Sequence, residues 1–186
     1  MTSIGSDTNS RSLTVFNPFD LSPVDTVPEN TPEDVEAALV LAHALFRDRD
    51  AWLPEYKRLA VLERTATLME ERFDQLSEIA VREGGKPMTD TRAEIARAID
   101  TVKGAAAALR TDAGKAIPMG LTPATDNRMA FTRREPIGVV VAVSAFNHPL
   151  NLIVHQVAPA VAAGCPFIVK PAPDTPLSCL AFVAIL

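Results

Sequence analysis

Cysteine is nearly missing from this chain: its 186 residues hold two, Cys165 and Cys179. Two cysteines cannot build the multi-bridge framework of a small secreted domain, so a reducing, cytoplasmic setting is expected. Neither has a base nearby in sequence, and both read as buried packing thiols. Histidine is almost as scarce, at three residues. His148 and His155 lie seven apart with no third ligand at metal spacing, so no zinc site is expected. His43 falls inside a helical stretch and reads as structural. Basic charge is also in deficit: 18 Lys and Arg against 23 Asp and Glu give a net charge of −5. That balance excludes nucleic acid as a main partner, because phosphate binding needs clustered cations. The nearest such cluster, Arg128, Arg133 and Arg134, has no aromatic platform beside it and reads as a solvated edge. Residues 1–12 lack the apolar core of a secretory signal. The longest apolar run, Pro136–Ala145, is too short to span a bilayer. No membrane association is expected.

What is present suits a globular domain, with 47% hydrophobic and 22% charged residues. Residues 1–12, rich in Ser, Thr and Asn, are expected to be disordered or loosely attached. An extended piece, Leu13–Phe16, leads into the Pro-rich stretch Asn17–Pro32. Thr31 then caps a helix with Pro32 at its first position, and Val35, Ala38, Leu39, Ala42, Leu45 and Phe46 share one face. A second helix is expected from near Pro54 to the stop at Gly84 and Gly85. Along it Leu59, Leu62, Ala66, Met69, Phe73, Leu76 and Ala80 recur at helical spacing. A third opens with Thr91 and Glu94 as a capping-box pair and carries Ile95, Ile99, Val102, Ala106 and Leu109 on one stripe.

Past Gly114 the pattern changes. Pro118–Asp126 is loop-like and Arg128–Arg134 can form a strand. Gly138–Ala145 is apolar almost throughout, as a strand buried on both faces should be. An apolar helix, Leu150–Ala163, stops at Gly164, and a second strand follows at Phe167–Lys170. Strand, helix and strand fit in about 30 residues, the size of a βαβ unit with a parallel pair. The fold class expected is α/β. A helical part over residues 13–127 and a strand or linker over 128–137 lead into the first βαβ unit of a Rossmann-like parallel sheet over 138–186. A final apolar stretch, Leu177–Leu186, follows the helix-start signal Asp174, Thr175 and Pro176 and has no closing Gly, Lys or Arg. A two-stranded parallel sheet also leaves an open apolar edge, so the unit is expected to be incomplete.

Parallel sheets bind ligands at the carboxyl ends of their strands. That rule brings Ala145–Pro149 and Lys170–Asp174 side by side at one rim. The fingerprint G-x-G-x-x-G is missing from the first turn, which excludes the common Rossmann enzymes. Taken alone, the rim residues have ordinary explanations. Asn147 is a good helix cap, Lys170 a solvent-facing charge at a strand end, and Val143, Ser144, Ala145 and Phe146 strand-end packing.

A resemblance adds a sharper reading. EPIGVVVAVSAFNHPLN, from Glu135 to Asn151, and APAVAAGCPFIVKPAPDTPLS, from Ala158 to Ser178, resemble the opening of the coenzyme domain of the aldehyde dehydrogenase superfamily. EGGKP, from Glu83 to Pro87, and the capped helices before it resemble the N-terminal segment of that family. The likeness runs from about Phe16 to Leu186. It implies an NAD(P)-dependent oxidoreductase that converts an aldehyde to the carboxylic acid, and a homo-oligomer in its full-length form. Asn147 would give its side-chain amide to the oxyanion formed when a Cys thiolate attacks the aldehyde. Lys170 would hydrogen-bond the adenosine ribose, and Val143, Ser144, Ala145 and Phe146 would line the nicotinamide side. Many NAD-preferring members have a Glu three residues after the Lys; here Pro173 stands there, which leaves both NAD and NADP open as coenzymes. Ala145-Phe146 replaces the usual Pro-Trp before the Asn, and His148-Pro149-Leu150-Asn151 follows it. That variant is similar to members acting on small polar aldehydes such as phosphonoacetaldehyde or lactaldehyde. The nucleophilic Cys and general-base Glu of the family would lie beyond Leu186, so the chain alone is expected to be inactive. The rival expectation is a non-catalytic remnant or interaction module that retains the fold.

Overall fold

Most helices in this chain begin where their own residues permit it, but two depend on side chains from elsewhere. A computed structural model describes residues 11–186. It opens on an antiparallel hairpin of β1 (Ser12–Phe16) and β2 (Pro23–Pro28). The loose segment expected over residues 1–12 lies outside the described residues as far as residue 10, and Ser12 is already paired with Pro28. β2 lies within the Pro-rich stretch. Its prolines, Pro23 and Pro28, sit at the strand ends, where an edge strand tolerates a missing N–H.

Thr31 opens α1 (Pro32–Arg47) as expected. The Asp34 N–H donates to Thr31 Oγ1 at 3.2 Å and the Thr31 N–H donates to the Asp34 carboxylate at 2.8 Å, a reciprocal capping box. The apolar face of α1 is another matter. Of its residues only Ala42 is buried, and Val35 and Leu45 are each 50% exposed.

The single helix expected from Pro54 to Gly84 is two, α2 (Glu55–Glu71) and α3 (Phe73–Gly84), joined at Arg72. Neither Gly nor Pro marks that break, and the apolar spacing runs through it because both helices face one core. α4 (Met88–Thr111) starts one turn before the expected capping box. Thr91 is buried inside the helix, and the Glu94 side chain reaches a different helix altogether. A second small hairpin pairs β3 (Lys115–Ile117), which carries no apolar alternation, with β4 (Ala130–Thr132) inside the expected strand. Gly114 permits it: its φ is +68°, and a Cβ there would collide with the Thr132 carbonyl oxygen.

The parallel unit follows. β5 (Val140–Val143) and β6 (Phe167–Lys170) pair from Val140↔Phe167 to Val143↔Lys170, with α5 (Pro149–Ala163) between them and α6 (Pro176–Ile185) after them. Burial of β5 on both faces is not observed. Ala142 is fully buried, but Val141 and Val143 are 54% and 53% exposed. α5 packs against β5, and among the described residues nothing buries the opposite face. The outer edge of β5 is partly closed by a side chain: the Gln156 amide donates to the Val143 carbonyl at 2.8 Å and accepts from the Val143 N–H at 3.0 Å. α5 itself is covered as expected, with Leu150, Ile153, Val154, Val157, Ala158, Ala160 and Val161 buried. It joins Leu62, Met69, Ile95, Val102 and Phe182 in one core. No described helix is long and apolar enough to cross a membrane.

Ile153 sits fully buried at the middle of this core. Ile153→Ala should lower unfolding stability by about 2–5 kcal/mol, read as a shift of the urea midpoint. His155→Ala, on the exposed side of the same helix, should stay within about 0.5 kcal/mol.

Candidate functional site

The carboxyl ends of β5 and β6 form one rim, set by the pairing of Val143 with Lys170. The ladder continues one residue past β5, because the Ser144 N–H donates to the Lys170 carbonyl at 3.0 Å. The two loops leaving the rim are tied together where the Thr175 hydroxyl donates to the Phe146 carbonyl at 3.3 Å. Ser144 is buried, and its hydroxyl donates to the Pro149 carbonyl. Val143, Phe146, Asn147, Lys170 and Pro173 are exposed, and Ala145 is half-buried. All seven rim residues singled out from the sequence therefore lie together. Those facing outward offer an apolar floor (Val143 and Phe146), a neutral amide and a cation.

The bland explanation of Asn147 as a helix cap fails on a specific competitor. The N-cap of α5 is His148, with no side-chain cap bond of its own. Glu94, reaching over from α4, accepts the Leu150 and Asn151 N–H groups at 3.1 and 3.2 Å. α5 has no acidic residue in its first turn, so Glu94 supplies both the acceptor and the negative charge that a helix N-terminus favours. The Glu94 side chain is entirely buried, a state that needs partners. Lys86 of the EGGKP segment donates to it at 2.6 Å, and His148 Nδ1 lies 3.0 Å from the same ammonium. Among the described residues Asn147 makes no side-chain hydrogen bond within the chain.

α6 repeats the arrangement. Glu83 of α3 accepts the Leu177 and Ser178 N–H groups at 2.6 and 2.8 Å. Burial pushes the Glu83 carboxyl above the ordinary range, against the hydrogen bonds from Ser178 and Leu177 and with some help from the Glu94 charge. At the other end of α5, which has no basic residue in its last turn, the Arg58 guanidinium donates to the Ala162 carbonyl. Gly164 ends the helix at φ +76°, with the Arg58 guanidinium packed where a side chain would stand. Sequence reasoning missed Arg58 and Gln156, and it gave Glu94 a capping role in its own helix, whereas the side chain caps α5. The available signal was negative: α5 and α6 lack acids in their first turns.

Both cysteines are buried and free. Burial, with the Glu83 charge second, pushes the Cys179 thiol up to about 12, far from a working nucleophile. No group of three metal-ligating side chains occurs among the described residues.

The rim donors decide whether a dinucleotide suits this place. The N-termini of α5 and α6 already hold carboxylates, so neither is free for a phosphate. Lys170 is exposed, and among the described residues its ammonium bonds only the neighbouring Pro171 carbonyl. Its ammonium therefore fits a sugar hydroxyl, and Val143 and Phe146 fit a flat ring.

A helical layer leading into a parallel βαβ unit, with outward-facing residues at the carboxyl rim, defines an α/β coenzyme-domain fold. The chain belongs to the aldehyde dehydrogenase family, whose model it matches over residues 5–186. It is 33% identical over 174 residues to a 3-sulfolactaldehyde dehydrogenase of Priestia megaterium, covering 94% of this chain and 36% of that protein. Its fold is similar to that of aldehyde dehydrogenase 21 from Physcomitrella patens in complex with the reaction product succinate. The TM-score is 0.89 and the identity 37%, over 97% of this chain and 37% of that one. It is also similar to the glyceraldehyde-3-phosphate dehydrogenase GapN of Methanocaldococcus jannaschii complexed with NADP. Here the TM-score is 0.86 and the identity 32%, over 96% of this chain and 38% of that one. The chain thus spans a little over a third of the length of these relatives.

A carboxyl whose pKa is higher folded than unfolded, as at Glu83, binds its proton more readily in the folded state. Stability must therefore fall as pH rises from the ordinary Glu value through the folded one, and level off above it. The melting temperature of the parent minus that of Glu83→Gln should decline across that window. A difference flat with pH would contradict the assignment.

Proposed function

We propose that this chain forms the N-terminal part of the coenzyme domain of an NAD(P)-dependent aldehyde dehydrogenase oxidising an aldehyde to the carboxylic acid. One observation carries the reading: Asn147 stands exposed at the rim of β5 with no side-chain hydrogen bond among the described residues. Because Glu94 takes the helix N–H groups, the Asn147 side chain is not turned back onto α5 as a cap and its amide N–H is free to donate. An amide donor can stabilise an oxyanion without giving up its proton, which suits the tetrahedral adduct of a thiolate and an aldehyde. Lys170 holds a ribose hydroxyl, and Val143, Phe146 and the turn at Ser144 and Ala145 shape the nicotinamide side. When bound, the nicotinamide supplies the hydride acceptor. Pro173 puts no carboxylate against a 2′-phosphate, so the rim suits coenzyme with or without that group.

The thiolate and the general base come from polypeptide outside residues 1–186, since both cysteines here are buried. The substrate class is a small aldehyde with a polar or anionic group, supported by the Phe146-Asn147-His148-Pro149 variant and by the substrates named for the relatives. A cytoplasmic homo-oligomer completes the reading. The buried thiols favour one alternative, a non-catalytic module that keeps the fold.

Reading the coding frame past Leu186 separates the two. A continuing frame with a Cys-bearing segment supports the dehydrogenase, whereas a stop leaves the module. In the encoded enzyme, Asn147→Ala should lower kcat about 10²–10³-fold, roughly 3 kcal/mol, with KM little changed. An unchanged kcat would remove Asn147 from the chemistry. The isolated chain should show no aldehyde-dependent reduction of NAD(P)+.

A further inference from the structure

We infer that Lys86 and Glu94 are positioning residues for Asn147, acting through His148. The inference deepens the oxidation reading and rests on it. Asn147 lies outside α5 and makes no side-chain hydrogen bond among the described residues, so the backbone on either side is what fixes where its side chain starts. Upstream, the Phe146 carbonyl is held by Thr175. Downstream stands His148, whose Nδ1 is 3.0 Å from Lys86 Nζ and 3.3 Å from Glu94 Oε2. A lysine ammonium can only donate. Nδ1 therefore accepts, and the ring proton sits on Nε2.

The same ammonium donates to Glu94 Oε2 at 2.6 Å, while Glu94 Oε1 takes the Leu150 and Asn151 N–H groups. One buried carboxylate thus anchors both the first turn of α5 and, through Lys86, the imidazole next to Asn147. Lys86 also keeps two lone pairs apart. Without it, the bare Nδ1 would face Glu94 Oε2 directly, and the imidazole relieves that clash by moving its proton to Nδ1 and donating to the carboxylate. The ring then turns, and the hold on Asn147 loosens.

The test uses the ¹⁵N-labelled 186-residue chain at pH 8, above the range in which free imidazole titrates. Long-range ¹H–¹⁵N spectra should give the Nε2–H tautomer for His148 in the parent, Nδ1–H in Lys86→Met, and Nε2–H again in Lys86→Arg. In Lys86→Met the Asn147 side-chain amide should show a roughly twofold or greater rise in 1 − S². A merely structural lysine would lower the melting temperature and leave the tautomer alone. Nδ1–H in the parent overturns the inference. So does an unchanged Asn147 amide in a Lys86→Met chain that keeps its helical spectrum. If Lys86→Met does not fold, Glu94→Gln keeps an acceptor for α5 and removes the charge; the same rise at Asn147 supports the inference, and none overturns it. No coenzyme or aldehyde enters this measurement, so failure of the oxidation reading leaves its outcome untouched. Its own failure leaves Asn147 available as an oxyanion donor without this support.

Discussion

The two ends of α5 are compensated by charges that α5 does not contain. Its first turn has no acid and its last turn no base, yet it is buried along most of its length, where water cannot satisfy its free N–H and C=O groups. Glu94 from α4 closes one end and Arg58 from α2 the other. α6 has the same need and meets it with Glu83 from α3. The parallel unit and the helical layer are therefore one structure in an electrostatic sense as well as a packed one. A carboxylate left without its helix N-terminus would be a buried charge short of partners, so loss of α5 or α6 exposes α4 or α3 to that cost.

This arrangement determines what the rim can present. Carboxylates fill the helix N-termini that would otherwise attract phosphate, which leaves the strand ends and the loops that follow them as the open part of the rim. There the fixed points are backbone groups: the Ser144 N–H on the Lys170 carbonyl, and the Thr175 hydroxyl on the Phe146 carbonyl. The side chains that face outward are relieved of structural work, and Asn147 is the clearest case.

Much of the fold was legible in local chemistry. Thr31 and Pro32 open α1, Gly164 closes α5, and the bounds of β6, Phe167–Lys170, follow from a short apolar run between turn residues. What was not legible depended on distant partners or carried no residue signature. The break at Arg72 has no Gly or Pro to announce it. β3 is exposed and shows no alternation. Glu94, three residues after Thr91, fits a local capping box perfectly well as a sequence, and only the folded chain reveals that its helix N–H partners lie 56 and 57 residues onward. The position of the rim came from the strand order, whereas the roles proposed for Asn147 and Lys170 came from resemblance. The fold then removed the competing explanation for Asn147.

The Gln156 side chain on the outer edge of β5 has a consequence for how this sheet can widen. Its amide mimics a strip of neighbouring backbone, occupying both the N–H and the C=O of Val143. A strand laid along that edge must first displace the amide, giving back two hydrogen bonds for the two it forms. Widening of the sheet at that point is an exchange with little net enthalpy, and its driving force must come from covering the exposed valine face of β5. An unsealed peptide edge would accept any extended segment; this one selects for strands that bring an apolar face with them.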